Sequence, residues 1–152
     1  MNISVDDIKK LREETRAGIA DCRKALEEAG GDFAKAKELV KSWGLDKAAA
    51  KSDRVVGAGL VENYVHGGGK VGSMVEVNCE TDFVARTDEF KSLCHEVAMQ
   101  VAAMDPKDVE ELLKQEYIRD ATRTIGDLVK ETIAKVGENI VVKRFMRFEL
   151  GS

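Results

Sequence analysis

Val75–Arg86, with the sequence VEVNCETDFVAR, is the segment around which the rest of this chain is organised. Val75, Val77 and Cys79 alternate with polar residues, and Ser73 continues the same face two positions earlier. A period of two is typical of a strand with one buried and one exposed face. The sequence therefore predicts a half-buried strand that ends near Cys79.

A polar turn follows this strand and carries one aromatic residue, Phe83. Glu80, Thr81 and Asp82 end the strand, and either Thr81 or Asp82 can cap a helical turn. Phe83 would then lie at the rim of the sheet. Two interpretations stay open at this point. Phe83 folds back into the core, as large apolar residues usually do, or the turn presents it to a partner, with Asp82 and Arg86 as polar flanks.

The composition is that of a globular protein with one ordinary domain or two small ones. The 152 residues are 43% hydrophobic and 34% charged, with a net charge of −4. Residues 1–54 carry 12 basic and 11 acidic side chains, and the remainder carries 12 and 17. Neither part has the basic surface of a nucleic-acid-binding protein, so we expect no direct contact with nucleic acid.

The chain has no feature that predicts contact with a membrane. No apolar run approaches the roughly 18 residues that a membrane span needs. The N-terminal residues 1–7 lack the basic and apolar blocks of a secretory signal. We therefore expect a cytoplasmic protein.

The side chains that could support catalysis or bind metal are few and scattered. Cys22, Cys79 and Cys94 have no CxxC spacing, and their odd number predicts no disulfide framework, so we interpret them as small buried apolar residues. His66 lies at a glycine-rich hairpin tip. His95 follows Cys94 directly, and neighbours on a helix do not face one another. We expect no metal site, no cofactor and no enzyme active site.

The N-terminal part predicts a bundle of three short helices. The first begins at the capping pattern of Ser4 and Asp7, and the second ends at a pair of glycines. Asp32 caps the third, which we expect to end at Gly44. The second helix places five residues on one face, Ile19, Cys22, Ala25, Leu26 and Ala29. The core of the bundle is predicted to contain Leu11, Leu26, Phe33, Val40 and Trp43.

The rest of the chain predicts strands and helices around the turn described above. Val55–His66 and Lys70–Cys79 are strand-like runs joined across three glycines. Helices are expected from near Thr87 or Asp88 to just before Pro106, from Asp108 to about Gln115, and from Ile125 to Val136. Asn139–Leu150 is a long third strand, with one face formed by Ile140, Val142, Met146, Phe148 and Leu150.

These elements predict an α+β fold in three parts. A three-helix domain occupies residues 1–45, a solvated helical linker occupies residues 46–54, and an α+β core domain with an antiparallel three-stranded sheet occupies residues 55–152. A single sheet with helices on one side leaves an apolar face or edge open. Self-association as a homodimer is the simplest way to cover it.

Three separated blocks of the sequence resemble one family, elongation factor Ts. Asn78–Ala85 resembles the core motif of that family, and residues 133–145 resemble a second segment of it. Residues 11–18 and 21–26 resemble the ubiquitin-associated-like domain that opens these proteins. Two residues depart from the family pattern, Arg16, where glycine is usual, and Arg23, where lysine is frequent.

The resemblance implies a function and two sets of contact residues. It implies a guanine-nucleotide exchange factor that releases GDP from elongation factor Tu. In this interpretation Phe83 enters the region near the magnesium and phosphates of the GTPase, together with Thr81, Asp82 and Val84. The N-terminal domain would bind the GTPase through Arg12, Ile19, Arg23 and Lys24. The resemblance also implies a homodimer, because short members of the family pair their single cores.

A second class of function stays open. A non-catalytic dimeric adaptor would bind the GTPase and leave its affinity for nucleotide unchanged. Rates of nucleotide release separate this interpretation from exchange.

Overall fold

The computed structural model describes residues 2–152 and begins with three helices, α1 (Val5–Thr15), α2 (Ile19–Glu28) and α3 (Phe33–Ala50). The capping residues act as the sequence predicts. Ser4 Oγ accepts a hydrogen bond from the backbone N–H of Asp7 at 3.0 Å, and Asp32 accepts one from Lys35. Each bond satisfies an N–H group that the first turn of a helix leaves without a partner.

The bundle has its own small core, as predicted. Leu11, Leu26 and Val40 are buried, and Phe33 and Trp43 are partly buried against them. Ile19 does not belong to the buried face of α2 that the sequence predicts, because its side chain is 57% exposed. It occupies the first position of α2, where the chain has only begun to turn onto the bundle.

Helix α3 is longer than the sequence predicts. The expected end at Gly44 is wrong, since the helix continues to Ala50. A Cβ atom at Gly44 would lie 3.0 Å from the Cβ of Ala134, so the missing side chain permits close packing against the helix that contains Ala134. Beyond it, Ala48 is buried in the core formed by the rest of the chain. The glycine here allows close contact between helices and does not end one.

Nine further elements follow α3. They are β1 (Ala58–Val65), β2 (Val71–Cys79), α4 (Asp82–Ala85), α5 (Asp88–Met104), α6 (Val109–Lys114), β3 (Glu116–Tyr117), β4 (Asp120–Thr124), α7 (Ile125–Val136) and β5 (Ile140–Glu149). Strands β1, β2 and β5 form an antiparallel sheet in that order. The α+β fold with an antiparallel three-stranded sheet is therefore confirmed.

Strand β2 is the central strand, and its faces are those that the sequence predicts. Ser73, Val75, Val77 and Cys79 are all buried, and α5 lies against this face of the sheet. Phe90, Leu93 and other apolar residues of α5 complete the main core. The opposite face of the sheet is not covered by any helix among residues 2–152.

The sequence predicts one apolar face along the whole of β5, and this prediction is wrong. The register shifts between Glu76 and Val77 of β2, which pair with Arg144 and Val142 of β5, so Lys143 is an extra residue. Such a bulge reverses the alternation of side chains. Ile140 and Val142 are buried, whereas Met146 and Phe148 are exposed on the uncovered face and Leu150, just beyond the strand, is also exposed.

A short hairpin of β3 and β4 is not predicted by the sequence. Glu116 pairs with Thr124, and Tyr117 pairs with Asp120. The buried amide of Gln100 stabilises it by donating to the carbonyl oxygen of Glu116 at 3.0 Å and accepting from the backbone N–H of Ile118 at 3.1 Å. A two-residue strand is too short to show a period of two.

Within residues 2–152, no helix has the length and apolar character needed to cross a lipid bilayer.

Candidate functional site

The turn after β2 is a single helical turn, α4, fixed by its N-cap residue and by the burial of its last two residues. Thr81 is the N-cap, with extended backbone, and its Oγ1 accepts from the backbone N–H of Val84 at 3.3 Å. Val84 and Ala85 are 4% and 3% exposed and belong to the main core. One side of the turn is therefore held in the protein interior.

Phe83 points away from that interior. Its side chain is 80% exposed, and Asp82 and Arg86 beside it are exposed as well. The interpretation in which Phe83 folds back into the core is therefore wrong for the free protein. Burial of Val84 and Ala85 leaves Phe83 on the outer side of a helical turn, because successive residues point about 100° apart.

A carboxylate from the far end of the chain holds the start of the turn. Glu138 accepts two hydrogen bonds from Thr81, from the backbone N–H at 3.0 Å and from the hydroxyl at 2.8 Å. Sequence reasoning missed Glu138, since 57 residues separate it from Thr81. The only signal was its place within residues 133–145, which resemble a family segment.

Glu80 and Asn139, the chain neighbours of Thr81 and Glu138, form a second connection between the same two segments. Glu80 accepts from the backbone N–H of Asn139 at 2.7 Å, and Arg54 lies 3.7 Å from the same carboxylate. Asn139 is buried, and its side-chain amide donates to the carbonyl oxygens of Arg54 at 2.9 Å and Ser52 at 3.3 Å. The turn, the segment after α3 and the loop between α7 and β5 are thus joined by hydrogen bonds.

The second predicted set of site residues lies on the surface of the bundle. Arg12 is exposed in the last turn of α1, and Ile19 is exposed at the start of α2. Arg23 forms an ion pair with Glu27 at 2.9 Å. Lys24 Nζ lies 5.0 Å from the centre of the Trp43 ring. These four side chains present an exposed surface with positive charge and one apolar residue.

The cysteines are buried and are poor nucleophiles. Burial raises the pKa of the Cys94 thiol to about 12. Burial also raises the pKa of Cys79, as does the negative charge of Glu138, and Cys79 Sγ donates to the carbonyl oxygen of Thr81 at 3.2 Å. His66 Nδ1 is hydrogen-bonded to the hydroxyl of Tyr64 at 3.1 Å and is not hydrogen-bonded to a thiol. No cluster of three metal-binding side chains occurs in the part of the chain that the structure describes.

A cleft of about 450 Å³ lies beside the contact between α3 and α7 and is lined by both charged and apolar residues. Several of its charges are paired with one another. Lys41 Nζ lies 3.7 Å from Glu131 Oε1, Arg123 also pairs with Glu131, and Lys47 pairs with Asp21. These pairs connect the walls of the cleft and leave no single-sign surface for a charged ligand.

Comparisons with known proteins find one family. The sequence pattern of the family described as Elongation factor TS matches residues 80–152. Elongation factor Ts from Thermoanaerobacter sp. (strain X514) is 45% identical, with 98% of this chain and 95% of the relative aligned. The protein of the same name from Coprothermobacter proteolyticus is 45% identical, over 99% of this chain and all of the relative. That from Herpetosiphon aurantiacus is 42% identical over the full length of both.

The relatives are longer than this chain. The alignment with the Thermoanaerobacter protein spans 194 positions, whereas this chain has 152 residues, a difference of 42. At least that many aligned positions therefore have no residue in this chain.

Proposed function

The chain belongs to the elongation factor Ts family, and on that premise we propose that it is a guanine-nucleotide exchange factor that promotes release of GDP from elongation factor Tu during translation elongation in the cytoplasm. It is a binding protein and not an enzyme, and it needs no cofactor. The observation that carries the mechanism is the 80% exposure of Phe83 on a turn whose other side is buried.

Exchange follows from thermodynamic coupling. A factor that binds the nucleotide-free GTPase more tightly than the nucleotide-bound form must weaken nucleotide binding by the same factor. If Phe83 enters an apolar gap that exists only when the magnesium and phosphate region is displaced, its burial contributes about 1.5–3 kcal/mol of differential affinity. That corresponds to roughly 10- to 100-fold, so further contacts add to it.

The other residues of the turn have distinct proposed roles. Asp82, exposed beside Phe83, contacts the helices behind the nucleotide site and helps displace the surroundings of the magnesium ion. Thr81 and Val84 fix the shape of the turn, consistent with the hydrogen bond from the Val84 N–H to Thr81 Oγ1 and the burial of Val84. The protein thus brings an exposed aromatic residue on a fixed support to its partner.

We propose a second contact through residues 1–45, acting as a domain connected by residues 46–54 to the core domain of residues 55–152. Arg12, Ile19, Arg23 and Lys24 form this contact. Ile19 is 57% exposed, as an apolar contact residue would be in the free protein. Two contacts on one chain act together, because binding of the first raises the effective concentration of the second.

We propose that the uncovered face of the sheet binds a second copy of this chain. Seven apolar side chains are exposed on this side or at its end, Val61, Val65, Met74, Val141, Met146, Phe148 and Leu150. The ion pair of Glu76 and Arg144 lies on the same face, but Met74, Met146 and Phe148 are grouped at one end of it. An exposed apolar group of this kind is unusual on a monomer. Two such faces can pack together as the layers of a β-sandwich do.

The test of exchange is release of a fluorescent GDP analogue from elongation factor Tu. The native chain is expected to speed release, and Phe83→Ala is expected to lose most of that effect, by about 10- to 100-fold. Met104→Ala is the matched control, since Met104 is also exposed but lies at the opposite end of α5 from the turn. Equal acceleration by the native chain and Phe83→Ala would show that exchange does not depend on Phe83.

The competing function is a non-catalytic adaptor that binds the GTPase without stimulating exchange. The same experiment separates the two functions when binding is measured alongside release. Binding by the native chain with no change in the release rate would replace the exchange proposal with the adaptor.

A further inference from the structure

We propose that Glu138 is a positioning residue that holds the Phe83 turn in its binding-competent conformation. This inference rests on the proposed function and adds to it a residue outside the turn. Its basis is the pair of hydrogen bonds that the Glu138 carboxylate accepts from Thr81, at 3.0 and 2.8 Å.

The two hydrogen bonds act on the cap of α4. Thr81 Oγ1 accepts from the Val84 N–H, and its own proton is donated to Glu138. The hydroxyl is therefore fixed from both sides. Hydrogen bonds to a charged acceptor are stronger than those between neutral groups, so Glu138 stabilises both the backbone and the side chain of the capping residue.

The turn needs such support because it is short. Helix α4 has four residues, and its own hydrogen bonds include Ala85 N–H to the Thr81 carbonyl at 3.2 Å. A single helical turn is unfavourable by itself, since several residues must be ordered for one hydrogen bond. Val84 and Ala85 fix one side of α4 by burial, and Glu138 fixes its beginning.

Glu138 is itself held by its neighbours. Gly137 ends α7 with a left-handed backbone, φ 77°, and its N–H donates to the Ile133 carbonyl at 2.8 Å. On the other side, the Asn139 backbone donates to Glu80 and its side chain donates to Arg54. The carboxylate therefore projects from a loop whose flanking residues are fixed.

Loss of Glu138 should reduce the fraction of molecules whose turn is ready to bind. The apparent affinity of a protein falls in proportion to that fraction. Once the complex forms, contacts with the partner order the turn, so the maximum rate of nucleotide release is retained. Phe83→Ala differs, because it removes the side chain that acts in the complex.

The experiment measures nucleotide release as a function of the concentration of this protein. Glu138→Ala is expected to raise the half-saturating concentration about tenfold, because two hydrogen bonds are lost, and to keep the plateau rate. Glu138→Gln retains one neutral acceptor for the Thr81 N–H and loses the acceptor for the Thr81 hydroxyl, so it should recover only part of the loss. Glu96→Ala is the matched control, since Glu96 also accepts two hydrogen bonds, from Tyr117 at 2.6 Å and Arg119 at 2.9 Å.

Amide hydrogen exchange of the free protein tests the positioning directly. In Glu138→Ala the amides of Thr81 and Val84 should exchange faster, while that of Phe90, capped by Thr87, stays unchanged. Equal exchange at Thr81 and Val84 in both proteins would overturn the inference. So would a half-saturating concentration that Glu138→Ala leaves unchanged, or one that Glu96→Ala raises equally. If the native chain does not speed release at all, the proposed function fails, and hydrogen exchange still decides whether Glu138 positions the turn.

Discussion

Arg16 occupies a backbone conformation that favours glycine. It ends α1 with φ 60° and ψ 10°, in the left-handed region, and its N–H donates to the Arg12 carbonyl at 2.8 Å. A side chain in this region costs roughly 1–2 kcal/mol. Glycine, which the resemblance leads us to expect at this position, adopts these backbone angles without that cost.

Replacement of Arg16 tests this cost. Arg16→Gly is expected to raise the free energy of unfolding by up to about 1 kcal/mol relative to Arg16→Ala, because the greater freedom of glycine in the unfolded chain offsets part of the strain that is removed. Both variants lose the contact between Arg16 and Glu89, at 3.5 Å, so the difference between them reports only the backbone. Urea denaturation of the two variants gives this difference. Equal midpoints would contradict the explanation.

Tyr117 makes the stability of the protein depend on pH in the alkaline range. Burial raises the pKa of its hydroxyl to about 12, and donation to Glu96 raises it as well. In the unfolded chain the group ionises near 10. The unfolded state then binds fewer protons than the folded state, so stability falls as pH rises from about 10 to 12. Tyr117→Phe should weaken this fall, measured by thermal unfolding over that range; an equal fall in both proteins would contradict the prediction.

The site could be predicted from the sequence only where its signals were local. The end of the strand at Cys79 and the capping role of Thr81 follow from adjacent residues. Exposure of Phe83 does not, because it depends on which side of α4 the core covers. The contact of Glu138 with Thr81 depends on the return of β5 beside β2, which places residues 57 apart next to each other.

At the scale of elements, strand β1 depends on one glycine. Gly59 has φ 146°, and a Cβ atom there would lie 2.1 Å from the carbonyl oxygen of Val77 on β2. The paired backbones leave no room for a side chain. The sequence gives no sign of this close approach. It predicts one continuous strand over Val55–His66, whereas β1 begins at Ala58.

Alanine substitutions at two glycines test this constraint. Gly59→Ala is expected to lower the free energy of unfolding by about 1–3 kcal/mol, as overpacking does. Gly57→Ala is the control, because a Cβ atom there would contact nothing within 4 Å and its φ is not in the left-handed region. Chemical denaturation compares the two. Similar losses in both variants would show that the contact with Val77 is not the cause.

Most helices and the three sheet strands could be predicted because their apolar residues repeat at regular spacing. The wrong predictions occur where packing against a distant element decides the role of a residue. Gly44 resembles a helix end but permits contact between α3 and α7, and the extra Lys143 reverses the faces of β5. Both features depend on elements that are distant in sequence.

At the scale of the whole molecule, the uncovered sheet face predicts a dimer. Met146 pairs with Met74 in the register of β5 on β2, and both are exposed on that face. Met146→Glu should weaken association at least about a hundredfold, since burial of an unpaired carboxylate costs several kcal/mol. Val5→Glu, an exposed apolar position on α1, is the control.

Light scattering coupled to size-exclusion chromatography checks this prediction. The native chain and Val5→Glu should have the mass of two chains, and Met146→Glu that of one. A native chain with the mass of a monomer would contradict the proposed homodimer.

Because of the bulge in β5, even-numbered residues lie on opposite faces of the sheet in the two halves of this strand. Before position 143 the even numbers, Ile140 and Val142, are interior, and after it the even numbers, Met146 and Phe148, are exterior. In a mutational scan of this strand, the positions sensitive to polar substitution should therefore be even-numbered before Lys143 and odd-numbered after it. Polar substitutions at even positions would reduce folding in the first half and would leave folding intact in the second half.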